Sequence, residues 1–142
     1  LTTYRRHVEN ALEKIAEAIG AKGKPWTAKS SLPGGDFAAT GYEAEVAKLK
    51  GKYSFLSQRQ ANRLVRLYGT NATAILGNAI DMAGLGQHFG GDLYEREVEW
   101  LMRQEWAKTS DDVLWRRTKQ GLHFSAEQVA LLNDYMRVAI AA

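Results

Sequence analysis

The fold class is decided by residues 57–69, whose sequence is SQRQANRLVRLYG. Ser57 and Gln60 form a capping box, in which the serine oxygen accepts the Gln60 amide and the glutamine side chain reaches back. Four apolar side chains follow at helical spacing and are predicted to face a core: Ala61, Leu64, Val65 and Tyr68. Gly69 ends the predicted helix, because glycine adopts the left-handed cap conformation without a Cβ clash.

Two further helices are predicted before residue 57. The first carries one apolar face, made of Tyr4, Val8, Leu12, Ile15 and Ile19, and it ends at Gly20 and Gly23. The second fits the spacing of Tyr42, Val46 and Leu49 and stops at Gly51. Between them, turn-forming Pro and Gly residues predict an ordered loop, with apolar anchors at Trp26, Leu32 and Phe37.

Helix starts continue through the second half of the chain. Thr70 or Asn71 caps a short turn that Gly77 closes, and Asp92 with Glu95 has the pattern of an acidic helix start. Asp111 and Asp112 follow Ser110 in the first turn of a helix that ends at Gly121, with Trp115 in the core. The last helix begins at Ser125, where Gln128 completes a capping box and Phe124 with Val129 forms a hydrophobic staple.

No segment alternates apolar and polar residues in the manner of a strand, and no Asn-Gly or Asp-Gly hairpin turn is present. The sequence therefore predicts an all-α fold, a compact bundle of six to seven short helices joined by Gly-rich loops. Its 142 residues fit one domain, residues 1–142.

Composition excludes several classes of protein. The chain has no cysteine, so it has neither disulfides nor thiolate metal sites, and no apolar run approaches the roughly 20 residues that span a bilayer. Leu1 does not open a signal peptide, and the chain begins inside a helical pattern, which suggests a piece of a longer protein.

The positive charge lies mainly in the first half of the chain. Residues 1–70 hold 12 basic and 6 acidic side chains, and such a surface could bind phosphate, an acidic protein or a membrane. A solvated surface is the preferred interpretation.

Residue chemistry alone assigns no catalytic residue. His7, His88 and His123 lack the spacing of metal ligands, and residues 84–91 resemble a phosphate loop without the strand that should precede it. The carboxylates Glu95, Glu97, Glu99 and Glu105 could suggest acid–base work, but Glu97 points away from the face that Glu95 and Glu99 share. The pairs Glu95-Arg96, Glu99-Arg103 and Arg103-Glu105 are interpreted as surface charge alternation. The densest polar cluster, Trp115 to Lys119, could stack on nucleic acid, but Asp112 can pair with its arginines, so a structural role is preferred.

Four stretches in order resemble one bacterial family, and together they span essentially the whole chain. They are LTTYR at 1–5, LPGG at 32–35, RLYG at 66–69 and DDVLWRRTKQG at 111–121. Leu93-Tyr94-Glu95 and Glu105-Trp106 also fit the pattern. The family is the aerobic, FAD-dependent glycerol-3-phosphate dehydrogenases with their glycerophosphate-oxidase relatives. The resemblance implies that residues 1–142 are the helical C-terminal cap domain of a longer flavoenzyme.

The resemblance also implies where the cofactor would lie. A Gly-Gly-Lys sequence precedes LTTYR in this family, which makes Leu1 and Thr2 the cofactor-binding residues of this chain, at the edge of the FAD site. The flavin-binding and substrate domains lie upstream, so the chain alone is expected neither to hold FAD nor to oxidise substrate. No catalytic residue and no metal ligand is carried over.

The implied parent enzyme oxidises sn-glycerol 3-phosphate to dihydroxyacetone phosphate and passes electrons to quinone. It is expected in the cytoplasm, peripheral on the inner face of the membrane. Of Arg116 and Arg117, one is expected to tie Asp112 or a neighbouring helix end and the other to anchor the cap to the catalytic body. The alternative hypothesis is an independent basic helical module that binds nucleic acid or an acidic protein partner.

Overall fold

The computed structural model describes residues 3–21 and 23–141. Its residues group into two compact units, Leu1–Leu32 and Pro33–Ala142, and each is described by itself. That residues 1–142 form one cap domain of a longer enzyme stays a prediction.

The first unit contains helix α1, Tyr4–Ile19, and one 3₁₀ turn, Thr27–Lys29. α1 ends at Gly20, whose φ is +82°, as predicted. Its five apolar side chains share one side of the helix and are 49–69% exposed. Trp26 and Leu32 are also mostly exposed, so their prediction as anchors is wrong. The physical reason is size, since no described residue of this short unit is buried and it encloses no core.

The second unit is mostly helical, which confirms the predicted fold class. Its elements, in chain order, are α2 Tyr42–Lys52, α3 Gln58–Tyr68, α4 Ala72–Leu76, β1 His88–Gly90, β2 Leu93–Tyr94, α5 Glu95–Gln104, a π-helical turn Asp112–Arg117 and α6 Ala126–Ala141. Short 3₁₀ turns occupy Gly69–Asn71, Ala83–Leu85 and Gln120–His123. Six α-helices are therefore present among the residues that the structure describes.

Both predicted capping boxes are present. The Gln60 amide donates to Ser57 Oγ at 3.2 Å, and the Ser57 amide donates to Gln60 Oε1 at 2.9 Å. At the start of α6, the Gln128 amide donates to Ser125 Oγ at 3.3 Å, and the Ser125 amide donates to Gln128 Oε1 at 3.0 Å. These local signals were reliable because both partners lie within four residues of each other.

Three helix boundaries were predicted wrongly, and two of them are the end of α2 and the start of α5. α2 continues through Gly51 to Lys52, since its backbone has ordinary helical geometry there. Asp92 does not begin α5, which starts at Glu95 after an extended Tyr94. The Glu95 amide instead donates to the Gln87 carbonyl at 2.9 Å, a partner from the preceding strand region that local sequence does not reveal.

A β-hairpin interrupts the helices, contrary to the prediction of no strands. β1 and β2 pair antiparallel, with His88 opposite Tyr94 and Gly90 opposite Leu93. Strands of three and two residues are too short to show an alternating pattern. The buried side chains of Phe89 and Leu93 hold the hairpin against the helices. The Phe89 ring lies 5.1 Å from that of Tyr135 on α6.

The core of the second unit is one apolar cluster that draws on every helix and on the hairpin. Its largest fully buried side chains are Tyr53, Phe89, Leu76, Leu93, Leu101, Leu114, Leu132, Met136, Val98 and Val113. The predicted inner face of α3 is confirmed, since Ala61, Leu64, Val65 and Tyr68 are all buried.

Trp115 is not a core residue, contrary to prediction, and is 45% exposed. The turn that carries it is π-helical, with the Thr118 amide donating to the Val113 carbonyl at 3.0 Å, and it ends at Arg117 rather than at Gly121. A π-turn holds more residues than an α-turn, so an α-helical spacing misplaces the inward face. Val113, Leu114 and Thr118 are buried in place of the tryptophan, whose ring lies against Gly121.

Candidate functional site

The predicted cofactor contacts, Leu1 and Thr2, lie outside the described residues. The first residue described there is Thr3, whose carbonyl accepts the His7 amide at 3.1 Å and opens α1. Over residues 3–21 and 23–141, no group of three His, Cys, Asp or Glu side chains could hold a metal ion. The assignment of the two cofactor contacts and the exclusion of a metal both remain predictions.

The main polar centre is a buried carboxylate, Glu97 of α5, which is 3% exposed. Both terminal nitrogens of Arg63 donate to it, at 2.7 and 2.6 Å, and the Tyr68 hydroxyl donates at 2.7 Å. Glu97 therefore differs from Glu95 and Glu99, which are only partly buried, and its burial was not predicted. Helical spacing could have predicted this burial, because Glu97 lies one turn before Leu101 on the inner face of α5.

The charges of this centre stabilise one another. Burial raises the pKa of the Tyr68 hydroxyl, and the negative charge of Glu97 raises it further. Burial by itself lowers the pKa of Arg63, but hydrogen bonding and attraction to Glu97 outweigh it, so the net shift is upward. Arg63 therefore stays cationic and Tyr68 stays protonated at neutral pH. The two hydrogen bonds from Arg63 to the Glu97 carboxylate form a strong bidentate pair.

The Glu97 centre joins three elements and leaves little room for a ligand. Arg63 of α3 also donates to the Asp92 carbonyl of the hairpin at 2.8 Å, so α3, α5 and the hairpin meet at one guanidinium group. The adjoining cavity has a volume of about 20 Å³, which is room for about one water molecule. The arrangement therefore fixes the packing of these elements.

Two of the quoted stretches, residues 32–35 and 66–69, contact each other directly at Gly34 and Gly69. Both glycines have positive φ, and a Cβ on either one would overlap the backbone at the other stretch. The Thr70 amide donates to the Gly34 carbonyl at 3.1 Å, and the Thr70 hydroxyl donates to Asp36. These glycines therefore allow two backbone segments to pass in direct contact, with no room for a Cβ atom.

The most specific stretch, residues 111–121, is organised around Asp112. Its carboxylate accepts the backbone amides of Lys108 and Thr109 at 2.9 and 3.0 Å, and Arg116 donates to it at 2.5 Å. The amide of Lys108, followed by the Arg116 hydrogen bond, lowers the pKa of Asp112. Arg117 donates to the backbone carbonyl of Glu105 at the end of α5, and its Nε lies 3.7 Å from the Glu105 carboxylate.

Both arginines of this stretch are therefore engaged within the chain. Arg116 forms an ion pair with Asp112, and Arg117 contacts Glu105 at the end of α5, as predicted for one of the two arginines. That the other arginine anchors the domain to the catalytic region stays a prediction. Lys119 is also used internally, because its ammonium donates to the Trp115 carbonyl. The cluster is structural, and the alternative hypothesis of a basic nucleic-acid or acidic-partner module is not supported.

Two depressions of the second unit lack the size or the lining of a flavin site. The cavity beside Glu97 is far too small for an isoalloxazine ring. A second depression, of about 450 Å³, is open to solvent and is lined by Lys108, Thr109, Ser110, Asn133, Asp134, Met136, Arg137 and Ile140. It offers no aromatic ring and no Gly-rich loop of the kind that binds a dinucleotide. No step of a flavin reaction is therefore derived from these residues.

Comparison with known proteins identifies the family. Residues 25–140 match the model of the C-terminal domain of alpha-glycerophosphate oxidase. The chain is 41% identical to the aerobic glycerol-3-phosphate dehydrogenase of Escherichia coli K12 over 136 residues, 96% of this chain and 27% of that protein. It is 41% identical to the glycerol-3-phosphate dehydrogenase of Pseudomonas aeruginosa over 137 residues, again 96% of this chain and 27% of that protein.

A third relative is named for a different substrate. The chain is 37% identical to the D-erythritol 1-phosphate dehydrogenase of Brucella abortus over 143 residues, which is 100% of this chain and 28% of that protein. The chain thus spans little more than a quarter of the length of these curated relatives. The resemblance drawn from the four stretches is confirmed. The chain belongs to the family of the C-terminal domain of alpha-glycerophosphate oxidase.

Proposed function

We propose that this chain is the accessory C-terminal domain of an FAD-dependent sn-glycerol-3-phosphate dehydrogenase. The observation that carries the proposal is 41% identity over 96% of the chain to glycerol-3-phosphate dehydrogenases about three and a half times its length. In the proposed parent reaction, C2 of glycerol 3-phosphate is oxidised to the ketone of dihydroxyacetone phosphate, with FAD as hydride acceptor and quinone as final acceptor. No residue of 1–142 is assigned to that chemistry.

The proposed partner of the domain is the upstream flavin and substrate region of the same polypeptide. α1 supports this, since its apolar side chains are at least about half exposed in the structure. The family match begins at residue 25, after α1, whereas the match to the full-length relatives covers 96% of the chain. We infer that α1 packs its apolar face on the upstream region and links it to the C-terminal domain.

A substitution in the full-length protein tests this packing. Leu12→Asp places a charge on the apolar face of α1, whereas Asn10→Asp adds the same charge on the opposite face. We expect Leu12→Asp to reduce the yield of soluble, flavin-loaded enzyme and Asn10→Asp to leave it unchanged. Equal yields from both variants would show that the apolar face of α1 is not an interface.

Membrane association belongs to the parent enzyme in this proposal. Across the residues that the structure describes, no helix has both the length and the apolar character to cross a bilayer. We propose that the parent acts at the inner face of the cytoplasmic membrane as a peripheral protein, where it can reach quinone.

The activity is tested on the full-length protein and on residues 1–142 side by side. The full-length protein is expected to carry FAD and to reduce a quinone analogue with glycerol 3-phosphate. Residues 1–142 are expected to be colourless and to show no saturable FAD binding by calorimetry. D-erythritol 1-phosphate is the second substrate to assay, because of the Brucella abortus relative. A higher kcat/KM with D-erythritol 1-phosphate would overturn the proposed substrate.

A further inference from the structure

Trp106, directly after α5, combines two unfavourable features. Its φ is +56°, in the left-handed region that favours glycine and is strained for a bulky residue. Its side chain is also 80% exposed, so the indole gains almost no burial within the described structure. A residue that strains the backbone without packing is a candidate for a function outside its own domain.

The backbone on both sides of Trp106 is held firmly. The Glu105 carbonyl accepts a hydrogen bond from Arg117, and the next residue, Ala107, is 1% exposed and donates its amide to the Leu101 carbonyl at 3.0 Å. The amides of the next two residues, Lys108 and Thr109, donate to the Asp112 carboxylate. The turn thus fixes the backbone at Trp106 and the direction of its Cα–Cβ bond, which lowers the entropy cost of binding a partner.

We propose that Trp106 is an interface anchor that inserts into the upstream region of the same full-length polypeptide. This inference rests on the proposed function, because it takes the occupant to be the part of the enzyme that precedes Leu1. That part makes up almost three quarters of the relatives' length. Tryptophan is enriched among the residues that dominate protein interfaces. The complementary surface would be an apolar recess with a hydrogen-bond acceptor for the indole N–H.

The charges near Trp106 favour a protein partner over an anionic lipid surface. Arg117 is paired with Glu105, Arg116 with Asp112, and Arg103 with Glu99. Among the described residues, the exposed Lys108 has no carboxylate within ion-pair distance. A lipid-binding surface needs unpaired cations to attract the headgroups. A single lysine falls short of the basic clusters that bind anionic headgroups, so with its arginines paired the surface beside the indole is better suited to a protein contact.

Photocrosslinking in the full-length protein tests the occupant directly. Trp106 is replaced by p-benzoylphenylalanine, and Ile80 carries the same replacement as a matched control, because it is 88% exposed without a positive φ. We expect position 106 to link within one polypeptide to a peptide upstream of Leu1, at least about tenfold more efficiently than position 80. A product of dimer mass, a link only within residues 1–142, an adduct to added phosphatidylglycerol vesicles, or no product would overturn the proposal.

Trp106→Gly gives an independent measurement in the full-length protein. Glycine relieves the strained backbone, so the substitution does not threaten the fold of the domain itself. Loss of the anchor is nevertheless expected to speed trypsin release of the C-terminal domain at least about tenfold. Release as slow as in the unsubstituted protein would contradict the proposal. Neither readout requires substrate turnover, so a failed dehydrogenase assay would count against the proposed function alone.

Discussion

Two arginine–carboxylate pairs of this protein have the same chemistry and opposite surroundings. Arg63 and Glu97 lie in the interior, with side chains 14% and 3% exposed, and connect helices distant in sequence. Arg116 and Asp112 lie four residues apart, and the arginine is 67% exposed. Removing one partner of an ion pair destabilises the protein most when the remaining charge is buried away from water. Only the interior pair leaves such a charge. We therefore expect substitutions at the two pairs to differ widely.

The largest effect is expected for Glu97→Ala. The substitution leaves the Arg63 guanidinium buried without its partner, and such a change costs about 3–5 kcal/mol in free energy of unfolding. Urea unfolding of residues 1–142, followed by circular dichroism, measures it. Replacing both partners, by Arg63→Met with Glu97→Leu, is expected to regain part of the loss, because the buried charge is gone but the Tyr68 hydroxyl still lacks its acceptor. A double variant as unstable as Glu97→Ala would show that the buried charge is not the cause.

Tyr68→Phe sharpens the comparison inside the buried pair. The phenol donates to the Glu97 carboxylate at 2.7 Å, and a hydrogen bond to a charged group contributes about 1.5–3 kcal/mol. The ring is kept, so packing is preserved and the loss reports the hydroxyl alone. The same urea experiment measures it. Tyr42→Phe is the control, since its hydroxyl bonds only a backbone carbonyl near the surface and a smaller loss is expected.

Arg117→Ala is expected to have an intermediate effect, because the side chain is partly buried and bonds the end of α5. We expect a loss of about 1 kcal/mol in free energy of unfolding. In the full-length enzyme, the KM for glycerol 3-phosphate should stay nearly unchanged. A large rise in KM with normal folding and full flavin content would show a direct substrate contact and contradict the structural assignment.

The smallest effect is expected for Arg116→Ala, since an exposed i,i+4 pair contributes little. Its contribution depends on an ionised Asp112, whose pKa lies below its ordinary value near 3.8. The difference between the two proteins should therefore be constant above about pH 4 and vanish as the pH falls through the lowered pKa. Melting temperatures at several pH values measure it, and a difference that grows in acid would contradict this account.

Prediction from the sequence succeeded where partners are close along the chain. The capping boxes at Ser57 and Ser125 and the Gly20 end of α1 each depend on residues within a few positions. It failed at Trp115, because a π-turn changes which residues face inward, and at β1 and β2, which are too short for a periodic signal. Glu97 lay on a predictable inner face, but its partner Arg63 is 34 residues away.

The sequence by itself determined that the chain is helical, where most of its helices begin, and which family it belongs to. Those properties follow from local hydrogen bonds, from helical periodicity and from short stretches of characteristic residues. Only the tertiary structure decided which charges are buried, that Gly34 and Gly69 cross without room for a Cβ, and that Trp106 is held out into solvent. Burial and close approach depend on segments distant in sequence, which meet only when the chain has folded.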